Sequence, residues 1–302
     1  MLKNSSDESL VQTLRKYIVW SGSLTLVTVL LGSSLNNLGF KYGRTHHGGG
    51  GAAGCEREVY TFSEPDSVFC CDGLRRHDWV CIASFDPINK IMTSVPWAYI
   101  LPLTPWLSNF VFNVDTQPSS HFPRLAFYLT LFGLRFFVLY ILLSRMQSFA
   151  NEVWVDDLHD GCWYQHLRVG GCHRGFDFSD HVVFHYANYI VPVSIESAWS
   201  LYSMRLHANA LTSMERISPS SVKPWFRYVP ALLLSLATWM CSSRSMIFTA
   251  MYMHTPAECL MALCILALAV AGPLYAYADP LARRLSGSSS DSYSSRNSSR
   301  QR

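Results

Sequence analysis

GFDFSDHVVFH, residues 175–185, sets Asp177, Ser179, Asp180, His181 and His185 at the entrance of an apolar stretch of membrane length. Titratable groups at such a position are costly to desolvate, so their presence points to a chemical use. A second cluster stands in MHTPAECLMAL, where His254 and Glu258 are four residues apart. That spacing puts both side chains on one helical face, where the carboxylate can fix the tautomer of the imidazole. Asp177 and His181 repeat the relation if their helix already includes residue 177. An imidazole oriented in this way is a nucleophile or a general base. Ser179 and the backbone N–H groups of a helix start can bind a phosphate. Either histidine alone reads as readily as an amphipathic anchor; both on one face, each with a carboxylate, favour catalysis. His185, one turn past His181, would suit a metal. The sequence offers no clear third ligand, so no metal and no other cofactor is assigned.

Whether the clusters meet depends on the elements that carry them. Hydrophobic residues make up 49% of the chain and charged residues only 15%, against roughly 25% charged in ordinary globular domains. Six runs are of the length a bilayer core requires: 17–35, 91–111, 125–143, 182–202, 228–248 and 257–278. The expected fold class is all-α, a polytopic membrane protein with about six transmembrane helices. Its membrane domain spans 17–280, between a tail 1–16 and a Ser/Arg-rich tail 281–302 that cannot bury a core. The first run follows a polar segment and ends without a small-residue cleavage site, so it reads as a retained span.

Six spans put both tails on one side. Lys3, Arg15, Lys16, Arg283 and Arg284 flank the membrane there. Most opposing basic residues sit in a long loop, about 36–90, and long loops count for less, which places the tails in the cytosol. The fourth and sixth spans then both start on the exoplasmic side, so His181 and His254 reach one surface. Cys55, Cys70, Cys71, Cys81, Cys162 and Cys172 fall in exoplasmic loops, which permits disulfides without fixing their pairing. Cys241, Cys259 and Cys264 lie in spans and read as buried thiols. GRTHHGGGGAAG, 43–54, reads as a flexible insertion. The sequons at Asn4 and Asn297 are in cytosolic tails and should carry no glycan. Arg135, mid-span, should face the bundle and pair with a residue such as Glu196. No phosphate-binding glycine loop and no aromatic-interleaved basic patch is present, so no nucleic-acid partner is expected.

Four segments fall in the order seen in the fat-storage-inducing transmembrane (FIT) family of endoplasmic-reticulum proteins. They are NKIMTSVPWAYILPLTP, RLAFYLTLFGLRFFVLYI, CHRGFDFSDHVVFHYANYI and the run from Arg227 to Leu263. The third resembles the family's Gly-x-Asp-x-Ser-Gly-His-x-Phe block and the last its His-Thr-x-x-Glu motif. The resemblance implies a lumenal active site like that of type 2 phosphatidic-acid phosphatases, with His181 and His254 as the catalytic pair. By that analogy His254 attacks phosphorus and His181 protonates the leaving group. The implied activity is an acyl-coenzyme A diphosphatase, giving acyl-phosphopantetheine and adenosine 3′,5′-bisphosphate in support of lipid-droplet formation and phospholipid balance. The implied partners are membrane lipids, fatty acyl-coenzyme A and diacylglycerol or triacylglycerol.

Two departures stand out. Asp180 replaces the glycine of Ser-Gly-His, which sets a negative charge beside a site for anionic phosphates. The phosphatases' Lys-x6-Arg-Pro motif is absent, which leaves Arg174, Arg168 and Arg244 as candidates to grip phosphate. Two other readings are a lipid phosphatase or sphingomyelin-synthase-like phosphotransferase, and a non-enzymatic binder of diacylglycerol or triacylglycerol. The synthases' third motif runs His-Tyr-Thr-x-Asp, unlike His-Thr-Pro-x-Glu here.

Overall fold

The computed structural model describes residues 2–35, 40–42, 58–61, 68–70, 86–94, 96–113, 118–146, 148–149, 179–214, 224–252, 254 and 256–285. The insertion 43–54, Arg168, Arg174, Asp177, the tail 286–302 and the exoplasmic cysteines other than Cys70 lie outside them.

Among the described residues the chain is helical, apart from a small antiparallel sheet in the long first loop. Its strands, β1 (Phe40–Tyr42), β2 (Glu58–Thr61) and β3 (Val68–Cys70), pair in sequence order. The helices are α1 (Leu2–Ser34), α2 (Pro87–Thr93), α3 (Trp97–Ile100), α4 (Thr104–Asn113), α5 (Pro118–Phe137) and α6 (Asp180–His185). They continue with α7 (Val191–Met214), α8 (Val229–Tyr252), α9 (Pro256–Leu266), α10 (Gly272–Ala276) and α11 (Ala278–Leu285). π-Helical turns extend α5 over Val138–Leu143, join α6 to α7 over Tyr186–Ile190, and join α9 to α10 over Ala267–Ala271.

Four helical stretches are long and apolar enough to cross a membrane: Ser9–Ser34, Ser120–Met146, Phe226–Met251 and Pro256–Ala276. They coincide with the first, third, fifth and sixth expected spans. Their outer faces expose Val27, Phe136, Leu233, Met240 and Leu268, a density of bare apolar surface that suits lipid and not water.

The other two expected spans depart from a simple membrane helix. Residues 91–111 do not form one helix: α2 stops at Ser94, and the chain resumes after Pro96 as α3, a 3₁₀ turn and α4. Pro96, Pro102 and Pro105 explain this, since each fixes φ and removes a backbone donor. The fourth stretch is helical from 180 to 214 but too polar to stand among the apolar four. It occupies the centre of the bundle, packed on α1 and α8, and every residue from 185 to 196 is buried.

Small and polar contacts hold this centre. On α8, Ser235, Thr238, Ser242, Ser245 and Thr249 recur every three or four residues and are all buried. A side chain at Gly32 of α1 would place its Cβ 2.8 Å from the Ala250 Cβ, so glycine there is what lets α1 and α8 approach closely.

The arginine pairing differs from expectation. Glu196 is paired with Arg124, not Arg135, and also accepts from Tyr128 (2.5 Å) and Asn109 (2.8 Å). Arg135 instead donates to Asn188 (3.0 Å) and Tyr99 (3.1 Å). Both arginines sit on α5, and only the tertiary register decides which one meets the carboxylate.

Candidate functional site

α6 starts at Asp180, with Ser179 as its N-cap residue. The Ser179 carbonyl accepts from the amides of Val182 (3.2 Å) and Val183 (3.4 Å). Its side chain makes no capping bond, and the hydroxyl is fully buried with no partner among the described residues. His181 follows in the first turn. At the other entrance α8 ends at Tyr252 and α9 begins at Pro256, a residue suited to the first helical position because the missing N–H has no partner there anyway. His254 sits between the two helices. Because α9 packs against α6, the two histidines meet, with ring centroids 6.1 Å apart and planes inclined by 52°.

Each ring has its own carboxylate. His254 Nδ1 lies 3.5 Å from Glu258, and both side chains are nearly buried, at 5% and 3% exposure. The expected spacing of four therefore gives a contact, although His254 precedes α9 and is not part of it. His181 Nδ1 lies 2.8 Å from Asp180, and these two face outward, at 33% and 63% exposure. The carboxylate found on His181 is thus Asp180, while Asp177 lies outside the described residues. Desolvation at the helix mouth works to raise the Asp180 carboxyl, but the His181 and His254 rings outweigh it and hold the group below the usual carboxylate range. Asp180 is charged at neutral pH.

The result is a centre with one buried, oriented imidazole and one imidazole at an open rim. Asp180, His181 and His254 each bring a possible donor atom within 4.8 Å of the other two. In the sequence Asp180 stands both among the titratable groups at the entrance and as a departure from Ser-Gly-His, without a named partner. The signal for the contact was present in the sequence, a carboxylate directly beside His181.

His185 is not part of this centre. It is fully buried one turn deeper, stacked on Tyr189 at 5.6 Å, with Nδ1 3.2 Å from Ser242 Oγ. His185→Ala should therefore leave turnover per folded molecule unchanged while lowering the melting temperature by a few degrees, as deletion of a packed, hydrogen-bonded side chain does. Loss of turnover in a normally folded variant would place His185 in the reaction.

Of the candidate phosphate-gripping arginines, Arg168 and Arg174 lie outside the described residues. Arg244 is engaged at another corner, 2.5 Å from Asp86 Oδ2 and over the Phe248 ring at 4.6 Å. Asp86 also caps α2 through the amides of Ile88 (3.4 Å) and Asn89 (3.1 Å), so this ion pair ties α8 to the broken segment. No protein-family profile, curated protein or solved structure matches the chain.

Proposed function

We propose that the two-histidine centre hydrolyses a phosphoanhydride carried by an amphiphile, and that the substrate is fatty acyl-coenzyme A, cut at its pyrophosphate bond. The observation that carries this reading is the meeting of His181 and His254 from two distant helix entrances, each ring held by a carboxylate. Glu258 fixes the buried His254 as the attacking base, and His181 at the open rim can hand a proton to the leaving oxygen. In this scheme a nitrogen–phosphorus bond forms as the anhydride P–O bond breaks, and water then releases the phosphoryl group. The resemblance to the FIT family supplies the substrate and the products, acyl-phosphopantetheine and adenosine 3′,5′-bisphosphate. Purified protein in detergent should cleave acyl-coenzyme A in preference to phosphatidic acid assayed beside it. A preference for phosphatidic acid would make it a lipid phosphatase instead.

The same reading takes the central helix and the broken segment as two further crossings, giving six in the endoplasmic-reticulum membrane. Both tails then face the cytosol and the histidine centre faces the lumen. Tags at either end should be digested by protease added to sealed microsomes; a protected tag would invert the topology.

A second reading, a binder of diacylglycerol or triacylglycerol, is favoured by one feature. A cavity of about 640 Å³ lies between α1 and α10, walled by Tyr17, Val19, Trp20 and Tyr275 with Arg15 and Lys16 at its edge. Its apolar walls suit acyl chains.

A further inference from the structure

We propose that Asp180, His181 and His254 form a binding site for a divalent transition-metal ion of the zinc or manganese kind. Binding stands on the geometry of the donors alone; its role in turnover rests on the hydrolase reading above.

The starting point is the charge of Asp180. A fixed carboxylate at a centre meant for pyrophosphate repels the substrate, unless something positive lies between them. Arg244, Arg124 and Arg135 are held by other partners: Arg244 is bound to Asp86, Arg124 to Glu196, and Arg135 to Asn188 and Tyr99. A cation held by Asp180 turns the adverse charge into a ligand and supplies a positive partner for the phosphates.

The donors fit that role in kind and in place. Two imidazoles and one carboxylate, drawn from two separate helix entrances, bring donor atoms within 4.8 Å of one another. Ligand bonds to zinc are roughly 2.0–2.2 Å, so donors around one ion stand about 3–4 Å apart and the cluster must close by about an ångström. The two rim side chains can supply that movement, since Asp180 and His181 are 63% and 33% exposed. His254, nearly buried, is the fixed point.

Glu258 completes the arrangement. Its carboxylate lies 3.5 Å from His254 Nδ1, the placement of the carboxylate that commonly supports a metal-bound imidazole. Three protein ligands with an open position is the pattern of a catalytic site, and a closed structural site would need a fourth. Nitrogen donors select against magnesium and calcium, which prefer oxygen cages. With the ion bound, His181 and His254 serve as ligands, so the site keeps the substrate and the products of the hydrolase reading but replaces its histidine attack. Water, made acidic by the ion, forms the new oxygen–phosphorus bond as the anhydride P–O bond breaks, and its proton passes to solvent.

The test uses the full chain in detergent, stripped with chelator, desalted, and titrated calorimetrically with Zn²⁺ and separately with Mn²⁺. Wild type should bind one ion per chain. Asp180→Asn should weaken binding at least about tenfold, Glu258→Gln by about the same, and Asp180→Glu should keep most of the affinity. Asp180 is exposed, so its variants should elute normally on gel filtration. Cleavage of acyl-coenzyme A should vanish on stripping and return with one equivalent of ion. No stoichiometric binding, or binding unchanged in Asp180→Asn, overturns the site. Stripped protein that cleaves at full rate also overturns it and leaves a metal-free histidine pair. One ion bound in an Asp180-dependent way, without cleavage of acyl-coenzyme A, supports the site and overturns the hydrolase.

Discussion

On the hydrolase reading, alanine at His181 or at His254 is expected to remove nearly all cleavage of acyl-coenzyme A, each by at least about 10²–10⁴-fold. General acid–base catalysis alone is worth that much, and loss of an attacking group or a metal ligand costs no less. The double mutant should be little worse than either single, because groups that act as one unit do not lose their contributions independently. The two single mutants should nevertheless differ in behaviour. His181 is at the open rim, and its removal should leave yield and melting temperature unchanged. His254 is nearly buried against Glu258, so His254→Ala removes a buried partner of that carboxylate and should also destabilise, contrary to what a purely interfacial position would give. His254→Gln keeps a hydrogen-bond donor near Glu258 and separates the chemical loss from the structural one. Glu258→Gln should give a partial loss, since that residue positions the ring and does not touch phosphorus. Variants at both histidines that fold normally and still hydrolyse near the wild-type rate would sink the enzyme reading and leave the lipid binder.

The largest structural effect is expected at Glu196. Its carboxylate collects Arg124, Tyr128 and Asn109 at the centre of the bundle, and Arg124 also reaches His121 Nδ1 (2.9 Å) and lies over the Trp199 ring at 4.7 Å. Removing one member of a buried ion pair costs about 3–5 kcal/mol, because the other charge is left without compensation. That is a large share of a total stability of roughly 5–15 kcal/mol. Glu196→Ala and Arg124→Ala should each give aggregated or barely extractable protein. Arg124→Met combined with Glu196→Leu should recover much of the yield, since it removes both charges and keeps the volume. Tyr128→Phe should cost only about 1 kcal/mol. Monodisperse yield and melting temperature in one detergent are the readouts. A Glu196→Ala protein that melts with wild type would mean that the network contributes little.

Much of this arrangement was legible from the sequence, and the failures have physical reasons. The four apolar spans were readable because a lipid-facing helix must keep a long apolar window. His254 and Glu258 were readable because their contact is local. The break in residues 91–111 was signalled by Pro96, Pro102 and Pro105, yet hydropathy averages over proline and does not register a lost donor. The choice between Arg124 and Arg135 for Glu196 depends on how far α5 slides along the central helix, which no local pattern encodes. The contact between Asp180 and His181 was less legible, because helical spacing points to partners four residues away and not to the adjacent residue. Asp180 is at once the partner of His181 and a negative charge at the rim of the site.

The polarity of the helix over 180–214 bears on how the chain is made. On the six-pass topology this segment reaches the membrane while α8 and α9 are still unsynthesised, although α8 carries the serine stripe that lines it. Glu196 and Asn188 find their partners on segments already made (Asn109, Arg124 and Tyr128; Ala98 and Arg135), but His185 lacks Ser242 of α8, and a polar group left in hydrocarbon inserts unwillingly. α1 has been waiting since the start of translation, but its other main contact, α8, arrives last. Insertion is therefore expected to be a late, joint event, in which the central helix is held at the translocon until α8 closes over it. A nascent chain stalled between α7 and α8 carries an uncovered polar helix, and it is there that the cell's quality control would most readily tell an unfinished molecule from a finished one.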